Sequence, residues 1–260
     1  MCIAYIALRA HADWPLLLLA NRDEWHARPS RPAAPWPDAP QVIAGRDTLG
    51  QGTWLGVTRQ GRFALLTNYR DPSAFRPSAP TRGKLVSNFL QDSSTPRDYM
   101  AELAGTATGY NGFNLIVGDS SDCWYLGHSG AGAPLIPQRL EPGIHTVSNH
   151  LLNTSWPKTE RLRRAVDALD LTVLNTSLEP AFAALRDRKV ADDDQLPSTG
   201  LPLERERMLS SVQIIGADYG TRCSTVIAIN ARGRALLSEA SYAHCGAVTH
   251  RHDWPFTLLQ

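Results

Sequence analysis

The chain lacks several features that mark specialised classes of protein. Its 26 lysines and arginines against 25 aspartates and glutamates leave a net charge of +1, which provides no strong field for nucleic acid or for an anionic membrane surface. The longest apolar run, Leu16 to Ala20, is far too short to span a bilayer. Arg9, His11 and Asp13 interrupt the first twenty residues, which is not typical of a secretory signal. We therefore expect a cytoplasmic protein with no transmembrane segment and no nucleic-acid partner.

The sequence also lacks a cysteine framework. The four cysteines are scattered along the chain, at Cys2, Cys123, Cys223 and Cys245. Their spacing fits neither a zinc site nor a disulfide scaffold, and we expect them to be reduced in the cytoplasm. His244, His250 and His252 lie near Cys245, but this spacing matches no familiar zinc pattern. We expect no metal and no cofactor.

No linker, internal repeat or heptad pattern divides the chain, so we expect one domain over residues 1–260. An apolar content of 43% and a charged content of 20% are ordinary for a globular protein. Apolar and β-branched runs predict strands at residues 3–9, 15–20, 53–58, 62–67, 113–117, 123–127, 145–148, 212–215, 224–229 and 234–239.

The segment from Arg28 to Pro40 holds five prolines and is predicted to be an extended loop, a functional flap or a surface wrap. Helices are predicted up to Gln91 and from Thr95 to Gly105. Two more follow from apolar residues at helical spacing, one around Leu162–Leu169 and one around Leu178–Leu185. Strands at both ends with paired helices between them favour a layered α+β fold.

Cys2 is the first candidate for chemistry. Methionine is normally removed when the following residue is small, and its removal would leave Cys2 with both a thiol and a free α-amine. A nucleophile paired with an N-terminal amine base is a known catalytic arrangement. The alternative is that Cys2 is a small apolar residue at the start of a strand.

Six segments in this order resemble the NRDE family, also called the transport and Golgi organisation 2 family. They are Met1-Cys2, Asn21-Arg22-Asp23-Glu24, Gly52-Thr53-Trp54-Leu55-Gly56, Thr67-Asn68-Tyr69-Arg70-Asp71, Tyr110-Asn111-Gly112-Phe113-Asn114 and Tyr219-Gly220-Thr221-Arg222. The resemblance runs from residue 1 into the 220s. It implies the αββα sandwich of N-terminal nucleophile hydrolases, especially of the choloylglycine hydrolase and penicillin V acylase branch.

The resemblance also implies site residues. Arg22 is the candidate for the cation that favours the thiolate, since a fixed positive charge lowers the pKa of a nearby thiol. Asp23 is the candidate for the acid that holds the α-amine or Arg22, with Glu24 as the alternative, because the hydrolase branch separates its arginine and aspartate by two residues. Arg222 resembles the second arginine of that branch. Surface ion pairs are the alternative for all of them.

Asn68 and Asn149 each follow a predicted strand. An asparagine amide donates hydrogen bonds to an oxyanion without adding charge, so both are candidates for the oxyanion hole. Asparagine also commonly caps a turn after a strand, which is the alternative for each.

These residues predict an N-terminal cysteine hydrolase that cleaves a carbon–nitrogen amide bond of a small molecule or an acyl lipid. The alternative is a non-catalytic carrier or chaperone that uses the same pocket for haem or an acyl lipid, since some members of the family are linked to haem movement and lipid metabolism and fold does not determine function. The sequence names neither the substrate nor the oligomeric state.

Overall fold

A computed structural model describes residues 2–130 and 134–259, which contain thirteen strands and five α-helices. The strands are β1 (Cys2–Leu8), β2 (Leu16–Trp25), β3 (Ser30–Trp36), β4 (Ala39–Asp47), β5 (Leu55–Thr58), β6 (Phe63–Asn68), β7 (Phe113–Gly118), β8 (Cys123–His128), β9 (Gln138–Arg139), β10 (Gly143–Val147), β11 (Tyr219–Ile229), β12 (Arg234–Tyr242) and β13 (Val248–Thr257). The helices are α1 (Gly83–Gln91), α2 (Pro96–Ala104), α3 (Pro157–Asp167), α4 (Glu179–Leu185) and α5 (Leu203–Met208).

The strands form two antiparallel sheets. The first sheet has the order β10-β1-β2-β11-β12-β13, and the second has the order β3-β4-β5-β6-β7-β8-β9. The first sheet is assembled from both ends of the chain, because β2 pairs with β1 on one side and with β11 on the other. The second sheet is a meander in which each strand pairs with the next along the chain. Strand β1 is therefore an interior strand of its sheet.

Three apolar clusters define four layers. One cluster lies between the sheets and joins Ile6 of β1 to Phe63 of β6. A second packs the outer face of the first sheet against α3 and α4, and a third packs the outer face of the second sheet against α1 and α2. The αββα sandwich predicted from the family resemblance is confirmed.

The pleat of β1 decides which way Cys2 faces. Ala4, Ile6 and Leu8 belong to the cluster between the sheets, while Ile3, Tyr5 and Ala7 face the helical layer. Alternate residues of a strand share a face. Cys2 therefore points into the space between the two sheets.

The prediction of a loop from Arg28 to Pro40 was wrong, because this segment forms β3 and begins β4. Strand β3 is the edge of its sheet, and its pairing with β4 shifts register between Arg31 and Ala34 and again at Pro35 and Trp36. Proline removes a backbone donor, which an edge strand tolerates because one side of it needs no ladder.

The strand predicted at residues 212–215 was also wrong. This segment belongs to neither sheet, and two of its backbone groups bond to side chains. The carbonyl of Val212 accepts from the Asn21 side chain at 2.9 Å, and the amide of Ile214 donates to the Thr221 hydroxyl at 2.8 Å. The sequence patterns also missed β4 beyond Pro40, the two-residue strand β9, the short helix α5 and the edge strand β13, most of whose residues are exposed. An exposed edge strand carries little apolar alternation.

Within the described residues, no helix is long and apolar enough to cross a membrane.

Candidate active site

A cavity of about 280 Å³ opens at the end of the sandwich where β1 begins. Cys2, Arg22, Asp23 and Asn68 all line it, although they are far apart in the sequence. The rest of the wall comes from β2 and the turn after it, from β4 and the segment that follows it, from β6, from the start of α1 and the segment before it, and from the Tyr110–Asn114 motif. These residues are Glu24, Arg28, Asp47, Thr53, Trp54, Leu66, Phe75, Pro77, Ala79, Pro80, Thr81, Arg82, Gly83 and Asn111.

Cys2 lines this cavity and is only 8% exposed. It pairs across the sheet with Arg22, and its carbonyl accepts a hydrogen bond of 2.8 Å from the Ser148 hydroxyl. Burial is the largest influence on the Cys2 thiol and raises its pKa; the charge of Asp23 acts in the same direction, and nearby positive charges, among them Arg22, act in the opposite direction. The net direction is opposite to the lowering expected from Arg22, because desolvation disfavours the thiolate more than one nearby cation favours it.

Arg22 lines the cavity but has a carboxylate partner that the motif did not indicate. Its Nη2 lies 4.0 Å from Asp47 Oδ2 on β4, and its guanidinium lies 4.3 Å from the Trp54 ring centre. Asp47 also accepts from Arg28 Nε at 2.7 Å. Arg22 is thus held between the sheets by an aromatic ring and a shared carboxylate, which excludes the surface ion pair considered as the alternative.

Asp23 and Glu24 occupy different environments. Asp23 is buried and accepts a 2.6 Å hydrogen bond from the Thr221 hydroxyl. Burial raises the pKa of the Asp23 carboxyl, and the charge of Lys158 is the largest influence in the opposite direction. Glu24 is only half-buried and accepts from the amide of Trp25 at 2.9 Å. Asp23 is therefore the carboxylate set into the protein beside Cys2.

The two asparagines have different positions. Asn68 lines the cavity at the end of β6, whereas Asn149 is fully buried behind it. The Asn149 amide donates to the backbone carbonyl of Asn68 at 3.0 Å. The predicted direct contact of Asn149 with an oxyanion does not fit this geometry, because its side chain is outside the cavity wall and supports Asn68 from behind.

Arg222 also lies apart from the cavity wall. It is the extra residue of a β-bulge where the register of β11 against β2 shifts between Thr221 and Cys223. A bulge redirects a side chain, and Arg222 Nη1 donates to the carbonyls of Trp25, His26 and Arg28 at 3.0, 2.9 and 3.2 Å. Arg222 supports the turn that places Arg28 at the cavity. It therefore affects the cavity indirectly, whereas the resemblance implied a direct role in the site.

A group of buried charges behind the cavity was missed by the sequence reasoning. Lys158 is 1% exposed, and its Nζ lies 3.4 Å from Asn149 Oδ1. Burial and then the charge of Arg70 lower the pKa of Lys158 to about 7. Arg70 forms a buried 2.5 Å ion pair with Glu206 of α5. Lys158 is one turn before Leu162 on the face of α3 that packs on the first sheet, so the apolar pattern, extended back four residues, could have found it.

The part of the cavity wall around Arg82 was missed as well. Arg82 precedes α1, and its Nη1 donates to the Gly112 carbonyl at 2.7 Å. Gly52 allows this wall to approach closely, because a Cβ there would lie 2.4 Å from the backbone carbon of Gly83. The family motif containing Gly52 therefore shapes the cavity through its backbone. Trp54 of the same motif packs its ring against the Arg22 guanidinium.

Within residues 2–130 and 134–259, no group of three His, Cys, Asp or Glu side chains is placed to hold a metal ion. His244 instead stacks on His26, with ring centres 3.9 Å apart. His250 and His252 lie on the exposed edge strand β13.

The cysteine environments predict an order of reaction with an alkylating reagent. In protein that retains Met1, Cys245 reacts first at pH 7 because it is exposed, while the other three are buried. Burial raises the pKa of Cys2, so its labelling increases as the pH rises above neutrality. Peptide mapping by mass spectrometry measures this order. Preferential labelling of Cys2 at mildly acidic pH would show that Arg22 outweighs burial.

The fold and the cavity define a class of protein: an αββα sandwich with a cysteine at the start of an interior strand, facing a polar cavity between the sheets. The profile of the family "Transport and Golgi organisation 2" matches residues 1–244. The chain belongs to this family, and the resemblance noted from the six motifs is confirmed.

Curated relatives support the same membership. The chain is 34% identical to a transport and Golgi organization 2 homolog of Mus musculus over 246 residues, which cover 87% of this chain and 86% of the relative. It is 34% identical to the Homo sapiens homolog over 250 residues, with the same coverage. The Drosophila melanogaster transport and Golgi organization protein 2 is 24% identical over 261 residues, covering 92% and 91%.

Two solved structures share a general similarity of fold. One is a Caenorhabditis elegans ortholog of N-acylethanolamine-hydrolyzing acid amidase, with a TM-score of 0.45, 12% identity, and coverage of 86% of this chain and 92% of the other. The other is a mutant conjugated bile acid hydrolase from Clostridium perfringens, with a TM-score of 0.46, 10% identity, and coverage of 98% and 92%. At these scores the fold assignment rests on the layers and sheets of this chain itself.

Proposed function

We propose that the protein is an N-terminal cysteine hydrolase that cleaves a carbon–nitrogen amide bond. The observation that supports this most is the position of Cys2, at the start of an interior strand and facing a cavity lined by Arg22, Asp23 and Asn68. Cys2 and Arg22 meet through the pairing of β1 with β2, but Asn68 of β6 belongs to the other sheet and reaches the cavity only through the packing of the two sheets. The proposal includes removal of Met1, which lies outside the described residues.

The reaction begins with the free α-amine of Cys2. The amine takes the thiol proton, directly or through water, as sulfur attacks the amide carbonyl carbon. The side-chain amide of Asn68 donates to the oxyanion. The carbon–nitrogen bond then breaks, the proton passes from the ammonium to the leaving amine, and a thioester remains on Cys2. Water attacks the thioester and releases the acid, which regenerates thiol and amine.

The raised pKa of the thiol fits a base-assisted mechanism. A thiol that keeps its proton at neutral pH needs a base at the moment of attack, and the α-amine is attached to the same residue. An unperturbed α-amine has a pKa of about 8, so about a fifth of it is neutral near physiological pH. Asp23, which adjoins the residue paired with Cys2, is the candidate for holding that amine.

Intact mass spectrometry tests the proposal. Protein with a verified N-terminus at Cys2 is incubated with a series of acyl amides and with an acyl probe that traps thiols. The expected result is one acyl group per chain, mapped to Cys2, and release of the amine from at least one amide. Full retention of Met1 in active protein would contradict the mechanism. A parallel sample that carries Met1 should form no adduct.

The role of Asn68 has its own test. Replacing Asn68 by alanine should lower the rate of Cys2 acylation by about 10²–10³-fold, the usual effect of removing one oxyanion donor. Substrate binding should change little, because the oxyanion forms only during the reaction. Single-turnover kinetics separate these two effects. Asn88→Ala, at an exposed position of α1, is the matched control and should leave the rate unchanged.

A carrier for haem or an acyl lipid is the second candidate, but the cavity favours a small ligand. Its volume of about 280 Å³ is near the lower end of the ~300–1,000 Å³ typical of small-molecule sites.

We also propose a cytoplasmic location, where reducing conditions keep the Cys2 thiol free. Cell fractionation tests this proposal.

A further inference from the structure

The arginines that line the cavity differ in their partners. Arg28 Nε lies 2.7 Å from Asp47 Oδ2 and 3.8 Å from Glu24 Oε2. Arg22 Nη2 lies 4.0 Å from the same Asp47 oxygen. Arg82 also lines the cavity, but within residues 2–130 and 134–259 no carboxylate lies at ion-pair distance from it. Arg82 therefore gives the cavity a positive charge that the surrounding protein leaves without a carboxylate contact.

The guanidinium of Arg82 has donors left for a ligand. Its Nη1 donates to the Gly112 carbonyl at 2.7 Å, which holds the side chain in place through a neutral acceptor. A guanidinium carries five N–H donors in a planar fork that matches the two oxygens of a carboxylate. Such paired, charge-assisted hydrogen bonds are strong and direction-specific. Arg82 is thus fixed at the cavity wall with most of its fork available.

Local stability does not explain a cation at this position. Arg82 is the N-cap residue of α1, and its side chain makes no capping hydrogen bond within the described residues. The helix dipole is positive at its N-terminus, so a cation there is unfavourable. Burial also lowers the pKa of the Arg82 guanidinium, although arginine remains protonated near neutral pH. An anion bound in the cavity would offset both effects.

The chain just before Arg82 forms an apolar rim on the same cavity. Phe75, Pro77 and Pro80 line the cavity and are exposed, and Phe75 is 61% exposed. An exposed aromatic ring beside a cavity offers apolar surface to a ligand. One segment therefore presents two kinds of surface, an apolar rim open to solvent and a guanidinium in the wall.

We propose that the cavity binds N-acyl amino acids, with the carboxylate of the amino acid on Arg82 and the acyl group along the rim of Phe75, Pro77 and Pro80. This inference rests on the proposed hydrolase function and names the substrate class of the same site. The carboxylate of such a compound is a single carbon away from the amide nitrogen, so amide and carboxylate fit together in a cavity of about 280 Å³. The acyl group extends toward solvent along the rim. Arg82 determines specificity and takes no part in making or breaking bonds.

Two substrates that differ at the carboxylate test this assignment. N-hexanoylglycine and N-hexanoylethanolamine share an acyl group, but only the first is an anion. Protein that begins at Cys2 should have a KM about 10–100-fold lower for the glycine conjugate, the effect of a hydrogen bond between charged groups, with a similar kcat. Arg82→Gln should remove this preference by raising the KM of the glycine conjugate alone. Arg97→Gln, at an exposed position of α2, makes the same change in net charge and should keep it.

Binding without turnover separates this inference from the proposed function. Calorimetry with Cys2→Ser protein measures the affinity of both conjugates even if no amide is ever cleaved. The glycine conjugate should bind about 10–100-fold more tightly, and adding Arg82→Gln should abolish the difference. Arg82→Lys keeps the charge without the planar fork and should keep part of the preference, which covers the case in which the Gln variant fails to fold.

Three results would overturn the assignment. Equal affinity of the two conjugates for Cys2→Ser protein would show that the cavity does not recognise the carboxylate. A preference that survives in a folded Arg82→Gln variant would place the carboxylate elsewhere. Adipic acid monoethylamide carries its carboxylate on the acyl side, and tighter binding of this compound than of N-hexanoylglycine would reverse the proposed orientation.

Discussion

Replacing Cys2 by serine abolishes the acyl-enzyme adduct and lowers amide turnover by about 10³-fold or more, the scale of losing a catalytic nucleophile. The substitution is nearly isosteric, so the β1 pairing with Arg22 and the surrounding core stay intact. The α-amine also remains, which means that the loss reports the nucleophile and not the base. Intact mass and amine release measure the two effects on the same sample.

Cys245→Ser is the matched control, since it removes the exposed cysteine and leaves the cavity unchanged. It should keep both adduct and turnover. The carrier alternative makes the opposite prediction for the first variant: Cys2→Ser would keep its ligand affinity, and wild-type protein would show no adduct. A stable acyl adduct on Cys123 or Cys223 would move the nucleophile away from the start of β1.

Replacing Arg70 by methionine lowers the free energy of unfolding by about 3–5 kcal/mol, the cost of leaving one member of a buried ion pair without its partner. Arg70 and Glu206 are each only 4% exposed at the side chain. Glu206 would then be a buried carboxylate that lacks the guanidinium with which it now pairs. Chemical denaturation followed by circular dichroism measures the change.

A second variant tests whether the charge is the cause. Glu206→Leu in the Arg70→Met background removes both charges and should recover part of the loss, because no unpaired charge remains buried. Arg163→Met is the surface control: its ion pair with Asp167 is about half exposed, and such pairs contribute at most about 1 kcal/mol. Equal losses at Arg70 and Arg163 would contradict the assignment of a buried pair.

The charged residues of the site show what the sequence alone could not predict, namely which side of the strand each of them faces. The motif Asn21–Glu24 predicted a site at the end of β2, and Arg22 and Asp23 do line the cavity with Cys2. The motif could not indicate that adjacent residues of a strand face opposite sides. That alternation brings Arg22 to Asp47 and Trp54 between the sheets and brings Asp23 to Thr221 and Lys158 on the helical side.

The asparagines and Arg222 illustrate a second limit. A position after a strand indicates that a side chain is near the end of the strand, but it does not indicate which neighbouring group that side chain will contact. Asn149 is directed to the Asn68 carbonyl, and the bulge at Arg222 turns its guanidinium to the carbonyls after β2. Both arrangements depend on contacts between segments more than 80 residues apart, as the 81-residue separation of Asn149 and Asn68 shows.

By itself, the sequence determined the family and the strands and helices of an α+β fold, and it singled out Cys2 as a candidate for chemistry, because motif order, side-chain periodicity and residue chemistry are local properties. Only the tertiary structure decided that the proline-rich segment becomes an edge strand, that Asp47 is the carboxylate beside Arg22, and that Lys158 is buried beside Asn149. Burial and charge pairing arise when distant strands and helices pack together, and they set the environment of Cys2 more strongly than its neighbours in the chain do.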